Sequence, residues 1–211
     1  MRFSIDIKES EAEISKKILQ SLSTQVDLHF RRAYTECKGQ IVDIVTESIT
    51  SHPTYHSLVS GQLRVEFGLD NATSRLNEIL QFWKYLDLVY QKPKIKSNQI
   101  VGSFSLSMIK SDFSDVLSTA GAVVNTSKGS SLEWLRWLLL FGDKTIINNY
   151  EIKLGPNAKS RTGNAVMVGK NGSRWSVPPA FAGTEQRNWI TEAIDNAEDD
   201  IMSLLKRSLG V

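Results

Sequence analysis

Two histidines, His52 and His56, stand four residues apart, a spacing that can put two imidazoles on one helical face. Pro53 lies between them and the chain has only 3 histidines, so a metal site would lack a third ligand of this kind. The ordinary reading is a capped, solvated helix junction. A second group is acidic. Glu192, Asp195, Glu198, Asp199 and Asp200 could attract a divalent cation, yet carboxylates recurring along a helix usually mark its solvated side. A third is basic: Arg161, Lys170 and Arg174 could contact phosphates on a hairpin. The alternative is a strand edge kept from pairing by its charges. Lys92, Lys94 and Lys96 form a smaller basic run. No GxSxG, HExxH, P-loop or GxGxxG pattern is present. The single cysteine, Cys37, allows neither an intrachain disulfide nor a cysteine-rich zinc site. The residues therefore nominate no catalytic, cofactor-binding or metal-binding set, and the expectation is a non-enzyme without a cofactor.

Composition agrees with an ordinary globular chain. At 211 residues, 41% hydrophobic and 23% charged, it can bury a core without covalent staples. A net charge of +2 gives no strong overall pull toward nucleic acid or acidic lipid. The first residues, MRFSIDIKESEAE, lack the apolar centre of a signal peptide, and the longest apolar run, Leu138 to Phe141, is far too short to span a bilayer. The expectation is a soluble protein made in the cytoplasm, with no membrane partner.

The elements that would position these residues follow from periodicity. Phe3, Ile5 and Ile7 alternate as in a short strand. Ser10 and Glu13 form a capping box. From there Ile14, Ile18, Leu22, Val26, Phe30, Tyr34, Cys37, Ile41 and Ile44 recur every three or four residues. Unbroken, that is a helix of about 40 residues, on the order of 60 Å long. Ser21–Thr24 and Gly39 are the candidate breaks. Residues 10–51 are read as a helical arm, long enough to extend toward a neighbouring subunit. Pro53 stops it. Leu63, Val65 and Phe67 alternate with Arg64 and Glu66, and Leu76, Ile79, Leu80 and Trp83 mark an amphipathic helix. Leu86–Tyr90 reads as a strand ending at Lys92-Pro93. The next strand points Phe104, Leu106 and Met108 one way and Ser103, Ser105 and Ser107 the other. A short helix from Ser111-Asp112 and a strand over Ala122–Asn125 follow, and Thr126–Ser131 is a loop.

Leu132–Ile194 is the densest stretch. Leu132–Phe141 is apolar nearly all round, which predicts a helix buried on most sides. Trp134 and Trp137 on it, with Trp175 and Trp189, are core or interface residues whose indole N–H groups need acceptors when buried. Ile146–Leu154, Ala165–Val168 and Arg174–Val177 read as strands, the last two joined by a turn at Lys170-Asn171-Gly172. Thr184 is the expected cap of a final helix striped with Ile190, Ile194, Ala197, Ile201, Leu204 and Leu205. The pattern predicts a single α+β domain over residues 1–211, an antiparallel β-sheet packed with the long N-terminal helix and the C-terminal helix.

The order WLRWLLLFGD, YEIKLGP, SRTGNAVM, W-x-VPPAFAGT and NWITEAI, preceded by YHSLVSGQLRVEFGL and SDFSDVLS, resembles a group of tailed-bacteriophage virion proteins. These are neck or tail-completion proteins of the HK97 gene-10 type, and the likeness spans roughly Tyr55 to Ile201. It implies a structural protein of the head–tail junction, a connector or tail-completion component assembled as a homo-oligomeric ring around the DNA channel. Implied partners are further copies of itself, a portal, adaptor or head-completion protein, and a tail-tube or tail-terminator protein. Non-specific contact with genomic DNA in the channel is also implied, and the implied location is the virion neck or tail. Two other readings stand beside this one: a nucleic-acid-binding module using the two basic hairpins, and a tail terminator.

Overall fold

A computed structural model describes residues 10–81, 87–107, 113–125 and 129–210. The expected strand at Arg2–Lys8 lies outside these residues, as do Trp83, the Ser111-Asp112 helix start and positions 126–128 of the expected loop. The fold is α+β, built of helices and antiparallel strand pairs. The strands form three separate two-stranded pairs among the described residues rather than one sheet. The chain divides into two compact units. Unit 1 comprises residues 1–40, 87–107 and 202–211, and unit 2 comprises 41–86 and 108–201.

Helix α1, Glu11–Ser51, contributes residues to both units and runs unbroken for 41 residues. The capping box starts it: the Ser10 amide donates to the Glu13 carboxylate at 2.8 Å, and the Glu13 amide donates to Ser10 Oγ at 3.3 Å. Those bonds hold the Glu13 carboxyl below its usual value. Neither candidate break interrupts the helix. Thr24 returns its hydroxyl to the Gln20 carbonyl four residues back, at 3.2 Å. Gly39 is exposed with open space around it, so its cost is backbone entropy alone, about 1 kcal/mol.

In unit 1, residues of α1 pack on a hairpin of β1 (Asp87–Lys96) and β2 (Gln99–Ser107). The hairpin turns at Ser97 and Asn98, both at positive φ (45° and 64°), the backbone of a type I′ turn. The strand does not end at Pro93 as the sequence suggests. It continues through a bulge between Gln91 and Lys94, where a residue with no amide donor costs no ladder bond. Gly102 faces the bulge. A Cβ there would lie 3.0 Å from the Phe30 ring and 3.2 Å from Pro93, so the close approach of helix and strand favours glycine. Phe30 meets Phe104 edge-on at 5.4 Å and Tyr90 at 6.3 Å, while Ser103 and Ser105 face solvent.

The Tyr90 hydroxyl donates to the Asp27 carboxylate. Removal from water, then that bond and the carboxylate's charge, push the phenol up to about 12. The bond from Tyr90 holds Asp27 below the usual carboxylate value. The raised phenol favours the folded state below pH ~10, its unfolded value, and that contribution is lost as pH climbs through about 12. The lowered Asp27 acts at the other end. Its contribution is present above pH ~4 and fades as pH falls through the folded value. A rapid alkaline pH jump followed by phenolate absorbance should show a late ionisation step, and Tyr90→Phe should remove it. No late step, or one that survives Tyr90→Phe, would contradict the pairing.

Unit 2 holds most of the buried core. The C-terminal turns of α1 bury Ile41, Val45 and Ile49. Helix α2 (Pro53–Val59) starts at His52, and α3 (Gln62–Phe67) follows. The alternation of Leu63, Val65 and Phe67 belongs to this helix and not to a strand. Leu63 and Phe67 are one turn apart and both buried, and over six residues the two periods coincide. Gly68 at φ +65° closes it, with the Leu69 amide reaching back to the Arg64 carbonyl at 2.9 Å. After α4 (Ala72–Leu80) and the short α5 (Ser114–Leu117), a 3₁₀ turn at Ala120–Ala122 leads into a two-residue pair, β3 (Val124–Asn125) with β4 (Ser131–Leu132). Helix α6 (Trp134–Leu140) buries Trp134, Leu135, Leu138 and Leu139, as its all-round apolar character predicts.

Strands β5 (Ile147–Leu154) and β6 (Ala165–Trp175) form the third pair. The expected hairpin of Ala165–Val168 against Arg174–Val177 does not form. Both segments pair with β5 instead, and Lys170–Ser173 are extruded between the Tyr150–Gly169 and Asn148–Arg174 pairings. Asn149 at φ +60° and Gly172 at φ +78° make the excursion, tied by the Gly172 amide donating to Asn149 Oδ1 at 3.1 Å. The asparagine-glycine signal was a bulge signal.

The last helix, α7, spans Trp189–Leu209. Its cap is Asn188 and not Thr184: Asn188 Oδ1 accepts from the Ile190 and Thr191 amides at 3.1 and 3.2 Å. Thr191 Oγ1 in turn accepts from the Asn188 amide at 2.9 Å, a reciprocal box. Thr184 closes the preceding turn by accepting from the Arg187 amide. Ile190, Ala193 and Ala197 of α7 are buried in unit 2, where the Ser48 hydroxyl donates to the Ala193 carbonyl at 2.6 Å. In unit 1, Cys37 Sγ donates to Ser208 Oγ at 3.2 Å.

Candidate functional site

Unit 2 contains a cavity of about 300 Å³ between α3, α6, β5 and β6. Three aromatic rings meet around it. Trp175 stands edge-on to Phe67 at 5.8 Å and to Trp137 at 6.1 Å. Ile152 and Met167 supply aliphatic walls. Helix α6 sets the geometry: Trp134 points into the core, so Trp137, nearly one turn on, falls on the cavity side.

Lys159 and Arg161 line the same cavity from the loop that joins β5 to β6. The loop is shaped by its own bonds. The Gly155 amide donates to the Asn164 carbonyl at 2.8 Å, and the Asn157 amide donates to the Gly163 carbonyl at 2.9 Å. The Lys159 amide donates to Asn157 Oδ1, and the Ala165 amide donates to Ser160 Oγ. The Arg161 guanidinium lies against Gly68, where a Cβ would stand 2.7 Å from Nη2, so the glycine that closes α3 also makes room for the arginine. Nη1 donates to the Asn125 carbonyl at 3.4 Å. Partial removal from water lowers the Arg161 pKa, with Asp70 opposing that shift. None of the ion pairs seen among the described residues uses Lys159 or Arg161. Glu66 lines the cavity too; its Oε1 accepts from Gln62 at 2.6 Å and its Oε2 is buried without a partner.

The other basic residues of the expected hairpin are not gathered here. Lys170 on the bulge is paired with Glu151, and neither it nor Arg174 lines the cavity. Lys92, Lys94 and Lys96 are exposed on β1 in unit 1. His52 and His56 do not share a helical face. His52 is the cap of α2, its Nδ1 accepting from the Thr54 amide at 3.2 Å, and its Nε2 faces Glu192 at 3.6 Å. His56 is exposed beside Tyr55. Asp195, Glu198, Asp199 and Asp200 are exposed on α7, and Glu192 pairs with Arg187, which lowers its pKa. Among the described residues no group of three or more His, Cys, Asp or Glu side chains converges as a metal site. Trp134 satisfies its indole at the Gly121 carbonyl, 2.9 Å away, whereas the buried Trp189 N–H has no protein acceptor.

A different kind of feature marks unit 1. Of the large apolar side chains exposed among the described residues, Ile14, Ile18, Leu22, Val89, Ile95 and Val101 are all in this unit. The first three are spaced one turn apart on α1, with Ile18 54% exposed. Among the described residues, the unit's buried apolar side chains are few: Ala33, Cys37, Leu88 and Leu204. A helix on a two-stranded hairpin offers little core of its own. Sequence periodicity found the stripe of α1 but not its excess over what the hairpin covers. No helix among the described residues is long and apolar enough to cross a membrane. No known protein family, curated protein or solved structure matches the chain.

Proposed function

We propose that this chain is a structural assembly protein, and that its place is the head–tail junction of a tailed bacteriophage, as a ring-forming neck or tail-completion component. The observation that carries the assembly reading is the apolar surface of unit 1. Ile14, Ile18 and Leu22 form an exposed helical stripe, and Val89, Ile95 and Val101 expose more on the hairpin. A row of apolar side chains exposed one turn apart along a helix is the pattern of a contact surface, unlike apolar residues scattered singly. A closed ring needs two different patches on each subunit, and the α1 stripe is the natural candidate for one of them. The virion reading is supported by the ordered motifs between Tyr55 and Ile201.

Sedimentation of the full chain over a range of concentrations tests the assembly reading. The wild type should form a discrete oligomer, and Ile18→Asp with Leu22→Asp should leave a monomer with unchanged helix content. The same monomer for both chains at every concentration would refute self-assembly through this stripe. Neighbouring genes test the virion reading. Portal, capsid and tail-tube genes beside this one support it, and a metabolic operon overturns it.

A further inference from the structure

We propose that the cavity of unit 2 binds a flat aromatic ring that carries a phosphate, that is, a nucleotide unit. Three features of one site point there, and none of them depends on the assembly reading. The walls are aromatic: the half-buried Trp137 and Trp175, backed by the buried Phe67, line the cavity, and base–aromatic contact tolerates any base. The mouth is cationic. Lys159 and Arg161 supply two positive charges, which suits a phosphate better than a single carboxylate. Arg161 is exposed, with Nη1 donating to the Asn125 carbonyl at 3.4 Å, and it enters none of the ion pairs seen among the described residues. The volume, about 300 Å³, is at the small end of ligand pockets and fits one such unit.

Lys159 and Arg161 give the ligand a direction: its phosphate lies toward them and its ring toward Trp137 and Trp175. A free nucleotide and one nucleotide of a single strand share this chemistry.

Titration of the full chain with deoxyguanosine 5′-monophosphate, deoxyguanosine and inorganic phosphate, read from the indole N–H resonances in ¹⁵N spectra, tests the site. Trp137→Phe and Trp175→Phe assign the two signals. The monophosphate should shift both, and the nucleoside and phosphate alone should bind at least about tenfold more weakly. Arg161→Ala should weaken the monophosphate about tenfold or more, with Arg161→Lys between it and wild type. A short single-stranded oligodeoxynucleotide then separates the two sources. Tighter binding that falls steeply with salt identifies a strand, and affinity equal to the monophosphate identifies the free nucleotide. Trp137 and Trp175 signals unmoved by both the monophosphate and the oligonucleotide, or Arg161→Ala binding as wild type does while folded by its dispersed spectrum, would overturn the proposal.

Discussion

Trp134→Ala is expected to lower the unfolding free energy of unit 2 by about 4 kcal/mol. The side chain is 0% exposed and its ring lies 5.9 Å from that of Phe67. Leu135, Leu138 and Leu139 on the same helix are equally buried, so α6 is held on several sides and little collapse can fill the void. The substitution also strips the Gly121 carbonyl of its indole donor in a buried setting. Trp134→Phe separates the two effects. It keeps most of the ring and loses the N–H, so it should cost about 1–3 kcal/mol for the bond alone. Urea denaturation followed by far-UV circular dichroism, with exchange of unit 2 amides as a second reading, measures both. A loss below about 1 kcal/mol for the alanine would mean that α6 is not the centre of the core.

Gly183→Ala should be unusually damaging for so small a change, with a loss of about 2–3 kcal/mol from a single methyl group. The new Cβ would stand 2.5 Å from Asn188 Cβ and 2.8 Å from the Leu138 carbonyl oxygen. That oxygen accepts from the Gly183 amide at 3.0 Å, and the Gly183 carbonyl accepts from Gly142 at 2.8 Å, so the backbone is fixed on both sides. The residue joins the C-terminal end of α6 to the cap of α7, and relieving the clash must disturb one of them. Asn188→Ala, which removes the cap and the Nδ2 donor to the Thr184 carbonyl but adds no clash, sets the comparison at about 1–2 kcal/mol. If Gly183→Ala costs no more than that, the loop moves freely and the clamp is not real.

The helices were largely legible from residue spacing, because packing and periodicity agreed. The 41-residue α1 and the buried face of α7 follow directly from apolar recurrence. Where local signals could be satisfied in two ways, tertiary pairing decided. Asn171-Gly172 suits a hairpin turn and a bulge equally, and only the partner strand β5 distinguishes them. Thr184 and Asn188 are both good caps, but the box with Thr191 starts the helix at the second. The cavity was the least legible feature. Arg161 was visible as a cation, whereas its partners Gly68, Trp137 and Trp175 come from distant parts of the chain, and nothing in their spacing brings them together.

Cys37 gives unit 1 a built-in clock. It is the chain's only thiol, 0% exposed on α1, with its sulfur directed at Ser208. A thiol reagent reaches it only when that packing opens, so the rate of labelling counts opening events. With so few buried neighbours in its unit, the clock should run fast in the isolated subunit. If other copies cover the exposed stripe of α1, as proposed, it should slow, which would make a single sulfur atom a record of assembly.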